Sequence, residues 1–200
     1  MTLDRVIPYL QDAGLLPKDG EKFNPYHSPA TGQFSVGGTG GAYKGTIKGG
    51  SEAERQSVRD VMGRIPLGLL PNNLTIQIGS IPTGVGASAA AVGLYRGPAL
   101  LSGPPRHIIN ISPSALRLGK IETEHVVFHE AGHAVHLGGG AMKAGVESKR
   151  IVSAWGDFKK ISAYANKDAD EGFAEGFASR MAHGTKFGTK SENIFSKLGV

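Results

Sequence analysis

The chain has 200 residues, with 22 Lys and Arg against 17 Asp and Glu for a formal net charge of +5, and with 30 Gly, 11 Pro and no Cys. That length suits one ordinary globular domain. The missing cysteines exclude a disulfide scaffold, thiol catalysis and any thiolate or iron–sulfur site, leaving only nitrogen and oxygen to hold a metal.

The opening MTLDRVIPYLQD is too polar for a signal peptide, and no apolar run approaches the ~20 residues of a membrane helix. The expectation is a soluble protein made in the cytoplasm, without a membrane partner. Leu3, Val6, Ile7 and Leu10 predict a short helix over 2–13, limited by Pro8. Periodicity then disappears, and 35–50 holds seven glycines in sixteen residues, so 1–50 reads as an irregular arm ending in a Gly-rich linker. The domain proper is expected over 51–200. Ser51 and Glu54 form a capping box ahead of Val58, Val61, Met62 and Ile65, and Pro66 closes that helix. Leu74, Ile76 and Ile78 alternate with polar residues and predict a strand over 73–79.

Residues 80–104 are rich in Gly, Ala and Pro and read as a long loop with a short edge strand near 92–95. A second strand follows over 106–112. A helix over 121–136 carries Val126, Val127, Ala131 and Ala134, and the glycines at 138–140 stop it. A last helix over 168–182 buries Phe173, Ala174, Phe177, Ala178 and Met181. These elements predict an α+β fold with a small mixed sheet. Basic residues are scattered from Arg5 to Lys197 without a basic run or interleaved aromatics, which reads as a solvated surface and not a nucleic-acid interface.

The residues that carry chemistry are His129-Glu130-Ala131-Gly132-His133. Side chains four apart on a helix are neighbours, so both imidazoles can reach one ion, with Glu130 placed to polarise a water in an open position. A shuffled chain of this composition would show the pattern roughly 0.01 times. A third ligand is required. His136 lies one turn beyond His133 on the same rod, where three ligands converge poorly; a histidine favoured by the helix C-terminus explains it better. A third histidine at 139 would extend the motif, but Gly139 stands there.

The last helix offers Glu171 and Glu175, four apart and beside Phe173 and Phe177, which must be buried. A cation is the simplest compensation for carboxylates carried toward a core. Helix capping by Asp168 and Glu171 is the alternative, and it leaves Glu175 without a reason. Glu171 is therefore expected as the ligand and Glu175 as the acceptor that orients a histidine.

The motif His129-Glu130-Ala131-Gly132-His133, followed by Ser162-Ala163-Tyr164-Ala165 and by Asp170-Glu171-Gly172-Phe173-Ala174-Glu175-Gly176-Phe177, resembles the gluzincin peptidases of the anthrax lethal factor type, which include the Pro-Pro endopeptidases. The likeness spans roughly 70–200 and concentrates between 125 and 178. It implies a zincin-like domain in which His129, His133 and Glu171 bind Zn²⁺. Glu130 is then the general base, and Tyr164, seven residues before Glu171, stabilises the oxyanion. The implied reaction is endopeptidase hydrolysis by a metal-activated water.

The segment FNPYHSPATGQF at 23–34 is similar to a short motif of tailed-phage head and prohead-associated proteins. That implies a phage-encoded protein, acting in the host cytoplasm or the virion, with peptide substrates and phage structural proteins as partners. A virion or binding component that keeps a metal only for stability is the competing class. Glu130 argues against it, since a structural site needs no base.

Of the remaining candidates, 93–95 is the expected edge for aligning an extended peptide. Trp155 reads as core before cleft wall. His107 and His125 read as packing or surface residues, and His27 and His183 have no partner legible in sequence.

Overall fold

The computed structural model describes residues 43–66, 68–81, 93–96, 107–137 and 148–200. The expected helix at 2–13, the phage-like segment and most of the loop at 80–104 lie outside them.

The first strand, β1 (Thr46–Gly49), is followed by helix α1 (Glu52–Met62). The expected capping box starts α1: Ser51 Oγ accepts the Glu54 N–H at 3.2 Å, and Glu54 Oε2 accepts the Ser51 N–H at 2.7 Å. Strands β2 (Leu74–Ile78), β3 (Gly93–Arg96) and β4 (His107–Ile111) complete a sheet in the order β1-β2-β4-β3. β1, β2 and β4 run parallel, and β3 pairs antiparallel at the edge. The sheet is mixed, and the strand expected near 92–95 is that edge. In the central register Ile76 faces Ile109 and Ile78 faces Ile111, all buried, as the alternation along β2 requires.

A single turn of 3-10 helix at Ala115–Arg117 leads into α2 (Lys120–Leu137). Then come α3 (Ser148–Phe158), α4 (Ala169–His183) and α5 (Thr189–Leu198). α2 packs on β3 and β4 on one side and on α4 on the other, and α3 packs on both α4 and α5. Phe158, Phe173, Phe177, Phe187 and Phe195 join α3, α4 and α5 through ring contacts with centroids 5.7–6.2 Å apart.

Gly132 lets α2 and α4 meet backbone to backbone. A Cβ there would stand 2.9 Å from Ala174 Cα and 3.2 Å from Phe177 Cβ. Since Gly132 sits inside the histidine motif, this close approach sets how near α4 comes to the imidazoles.

Three expectations need correction. The folded unit does not begin at Ser51, because β1 lies in the segment read as linker; its side chains are mostly exposed and Ile47 is its only apolar residue, so no alternation marked it. Helices α3 and α5 were not expected, and 168–182 is not the last helix. Both carry a helical apolar stripe, Ile151, Ala154 and Phe158 in α3 and Ile194, Phe195 and Leu198 in α5.

Candidate metal centre

The ladder of α2 places His129 and His133 one turn apart, with Nε2 atoms 3.2 Å from each other. Across the α2–α4 contact, Glu171 Oε2 lies 3.3 Å from His129 Nε2 and 3.1 Å from His133 Nε2. Asp168 is the N-cap of α4, its Oδ1 accepting the N–H groups of Asp170 at 3.1 Å and Glu171 at 2.9 Å. The capping alternative for Glu171 is thereby answered: Asp168 caps, and the Glu171 side chain is directed at the imidazoles.

Three donor atoms separated by 3.1–3.3 Å suit one ion. A tetrahedron with metal–ligand bonds of about 2.0–2.1 Å has edges of about 3.3 Å. Among the described residues this trio is the group of histidines and carboxylates able to hold a metal. Glu130, buried beside His129, carries a negative charge that acts on that imidazole.

The surroundings are built to favour positive charge. Burial would raise the Glu171 carboxyl, but contact with His129 and His133 holds it far below the usual carboxylate range. Burial likewise opposes ionisation of Glu175, and His125 and His129 reverse the effect. For His129, burial works against the imidazolium while Glu171 and Glu175 raise it well above an ordinary histidine. Metal ligands must be deprotonated, so a cation bound here would compete with protons for the same atoms.

Glu175 stands behind the His129 ring. Its Oε1 is 2.9 Å from His129 Nδ1, and its Oε2 accepts the Ser162 hydroxyl at 3.2 Å. Ser162 Oγ also accepts the Ala165 N–H at 3.0 Å, tying to Glu175 the turn that carries Tyr164. Tyr164 donates its hydroxyl to Glu171 Oε1 at 3.1 Å, and its ring centre is 5.6 Å from that of His129.

Comparison with protein-family models, with curated proteins and with solved structures gives no match. What the chain can do is read from its own geometry. Among the described residues no helix is long and apolar enough to cross a membrane.

His136 stands outside the trio, with its Nε2 2.9 Å from Asp170 Oδ1, and so bridges α2 to α4. Trp155 is half-buried and donates its indole N–H to the Ala165 carbonyl at 3.0 Å. His107 is buried in β4. His125, read as a packing or surface residue, approaches Glu175 Oε2 at 3.5 Å, and it stacks on His183, whose partner was not legible in sequence, with centroids 6.1 Å apart. Sequence reasoning missed Lys167, whose ammonium donates to Glu171 Oε1 at 3.1 Å; its i,i+4 spacing from Glu171 was the available signal.

Proposed function

We propose that this chain is a zinc-dependent endopeptidase of the gluzincin type on a zincin-like α+β domain. The observation that carries the reading is the mutual 3.1–3.3 Å spacing of His129 Nε2, His133 Nε2 and Glu171 Oε2. Two imidazoles and one carboxylate are a donor set of catalytic zinc, whereas calcium and magnesium demand oxygen. Bound there, zinc supplies Lewis acidity, lowering the pKa of a water toward ~7 and polarising a carbonyl.

The remaining steps belong to the protein. Glu130 takes the proton of the attacking water and later returns it to the leaving amine. Tyr164 turns its hydroxyl toward the carbonyl oxygen as negative charge develops on it. Glu175 holds the His129 ring from Nδ1, so that Nε2 is the atom presented to the ion. The edge strand β3 offers backbone groups that could align an extended substrate by β-addition.

Protein or peptide substrates, phage structural proteins among them, and action in the host cytoplasm or virion complete the proposal. That part rests on the segment at 23–34 alone.

Metal analysis and peptide-library cleavage of wild type and Glu130→Gln test the reading. The expected result is one zinc per chain in both proteins, with cleavage reduced by about 10²–10⁴ in the variant. Zinc in both and cleavage by neither would favour a structural metal on a virion or binding protein. Absence of zinc from both would sink the proposal.

A further inference from the structure

The two oxygens of Glu171 have different partners. Oε2 faces both imidazoles at 3.1 and 3.3 Å, while Oε1 accepts the Tyr164 hydroxyl and the Lys167 ammonium, each at 3.1 Å. Lys167 precedes the Asp168 cap of α4, and its Nζ lies 5.4 Å from the centre of the Tyr164 ring. Its side chain is 59% exposed, against 13% for Glu171. A solvated ion pair of this kind contributes little to folding, so its place against an inward-facing carboxylate calls for another explanation.

A carboxylate can ligate a cation through one oxygen or both, and an oxygen occupied by hydrogen-bond donors is the less available of the two. In the reaction proposed above, Tyr164 must leave Oε1 to reach the substrate carbonyl oxygen. At that moment Oε1 would be released to swing onto the metal, filling the position that water and substrate need. A second donor that does not leave prevents this.

We propose that Lys167 is a positioning residue of the metal centre: by holding Glu171 Oε1 it restricts that carboxylate to one ligating oxygen, which lets Tyr164 depart without a change of coordination. The inference rests on the metal-centre reading, and the test separates the two.

Cobalt(II) in a four-coordinate site absorbs visible light more strongly than in a five-coordinate one, so cobalt-loaded full-length protein reports the ligation mode without any assay of cleavage. Wild type, Tyr164→Phe, Tyr164→Phe/Lys167→Met and Tyr164→Phe/Lys167→Arg are compared, each checked for unchanged thermal unfolding without metal. Tyr164→Phe is expected to keep the wild-type spectrum, because Lys167 still occupies Oε1. Adding Lys167→Met is expected to cause a loss of band intensity, and Lys167→Arg, which keeps a cationic donor, to restore it. A double variant with Met that matches Tyr164→Phe overturns the proposal, as does a Tyr164→Phe spectrum already weakened. Wild type that takes up neither cobalt nor zinc overturns the metal centre and this inference together.

Discussion

Two histidine pairs lie along the α2–α4 interface, and only one is arranged as a ligand set. His129 and His133 share one helix at i,i+4, present Nε2 atoms 3.2 Å apart and meet a single oxygen of Glu171. His125 and His183 come from different helices and lie ring over ring, with centroids 6.1 Å apart and planes 25° from parallel. The carboxylate that approaches this pair is Glu175, whose Oε2 lies 3.5 Å from His125 Nε2. Beside that second pair, Arg64 bridges Glu124 at 2.6 Å and the Met181 carbonyl at 2.8 Å. One end of the interface gathers donors around a point; at the other, Arg64 ties the turn that follows α1 to α2 and α4. Histidine content alone does not make a candidate metal site, whereas two imidazoles and a carboxylate oxygen gathered around one point do.

The sharpest way to break this comparison is to remove one imidazole from each pair. His133→Ala is expected to weaken zinc binding by at least on the order of a hundredfold, since loss of a ligand should exceed the 10–100-fold typical of outer partners. His183→Ala should leave zinc affinity within about twofold. Competition against a chromophoric chelator reads both. Equal losses would mean that the two ends are not functionally distinct.

Arg64→Met probes the structural end. It strands the buried Glu124 carboxylate and frees the Met181 carbonyl, both of which now accept from the guanidinium. The expected cost is roughly 2–3 kcal/mol of stability, read as a lower urea midpoint with unchanged slope. Zinc stoichiometry should stay at its wild-type value. Glu175→Gln probes the link between the ends, because this residue touches His129 with Oε1 and approaches His125 with Oε2. A glutamine keeps the shape but removes the charge behind the His129 ring. Zinc affinity should fall by about 10–100-fold, and an unchanged affinity would remove Glu175 from the centre.

The histidine end was legible in sequence because its information is local. The i,i+4 spacing of His129 and His133 fixes their relation through the helix alone, and Glu171 was singled out because a carboxylate among Phe173 and Phe177 needed a partner. The capping box at Ser51 and the strand alternation at 74–78 are equally local. The structural end was not legible, because Arg64 meets Glu124 across 60 residues and Met181 across 117. No spacing rule reports a contact that only the packing of α1 against α2 creates. β1 escaped notice for a different reason: a short, polar edge strand among glycines has no buried face to impose a pattern. α3 and α5 did have the pattern, in the apolar stripes Ile151, Ala154 and Phe158 and Ile194, Phe195 and Leu198, and these two segments were left unassigned.

The pH response should divide the two ends as well, with the smallest effect of the series. In the folded protein the His183 pKa is lowered, first by burial and then by the neighbouring His125 and by Arg64, with Glu124 opposing. An unfolded chain takes up that proton near pH 6.5, whereas the folded chain refuses it until a lower pH. Stability therefore falls as pH drops below about 6.5 and levels off beneath the folded value. His129 has the opposite sign: its raised pKa contributes stability below about 6.5 that is lost as pH rises through the folded value. Urea unfolding of metal-free wild type and His183→Gln at pH 7.5 and 5.5 isolates the first effect, because His129 is common to both proteins. Wild type should lose more stability, or gain less, than the variant over this interval. Parallel changes would show that the stacked pair carries no burden of desolvation, and the distinction between the two histidine pairs would then rest on geometry alone.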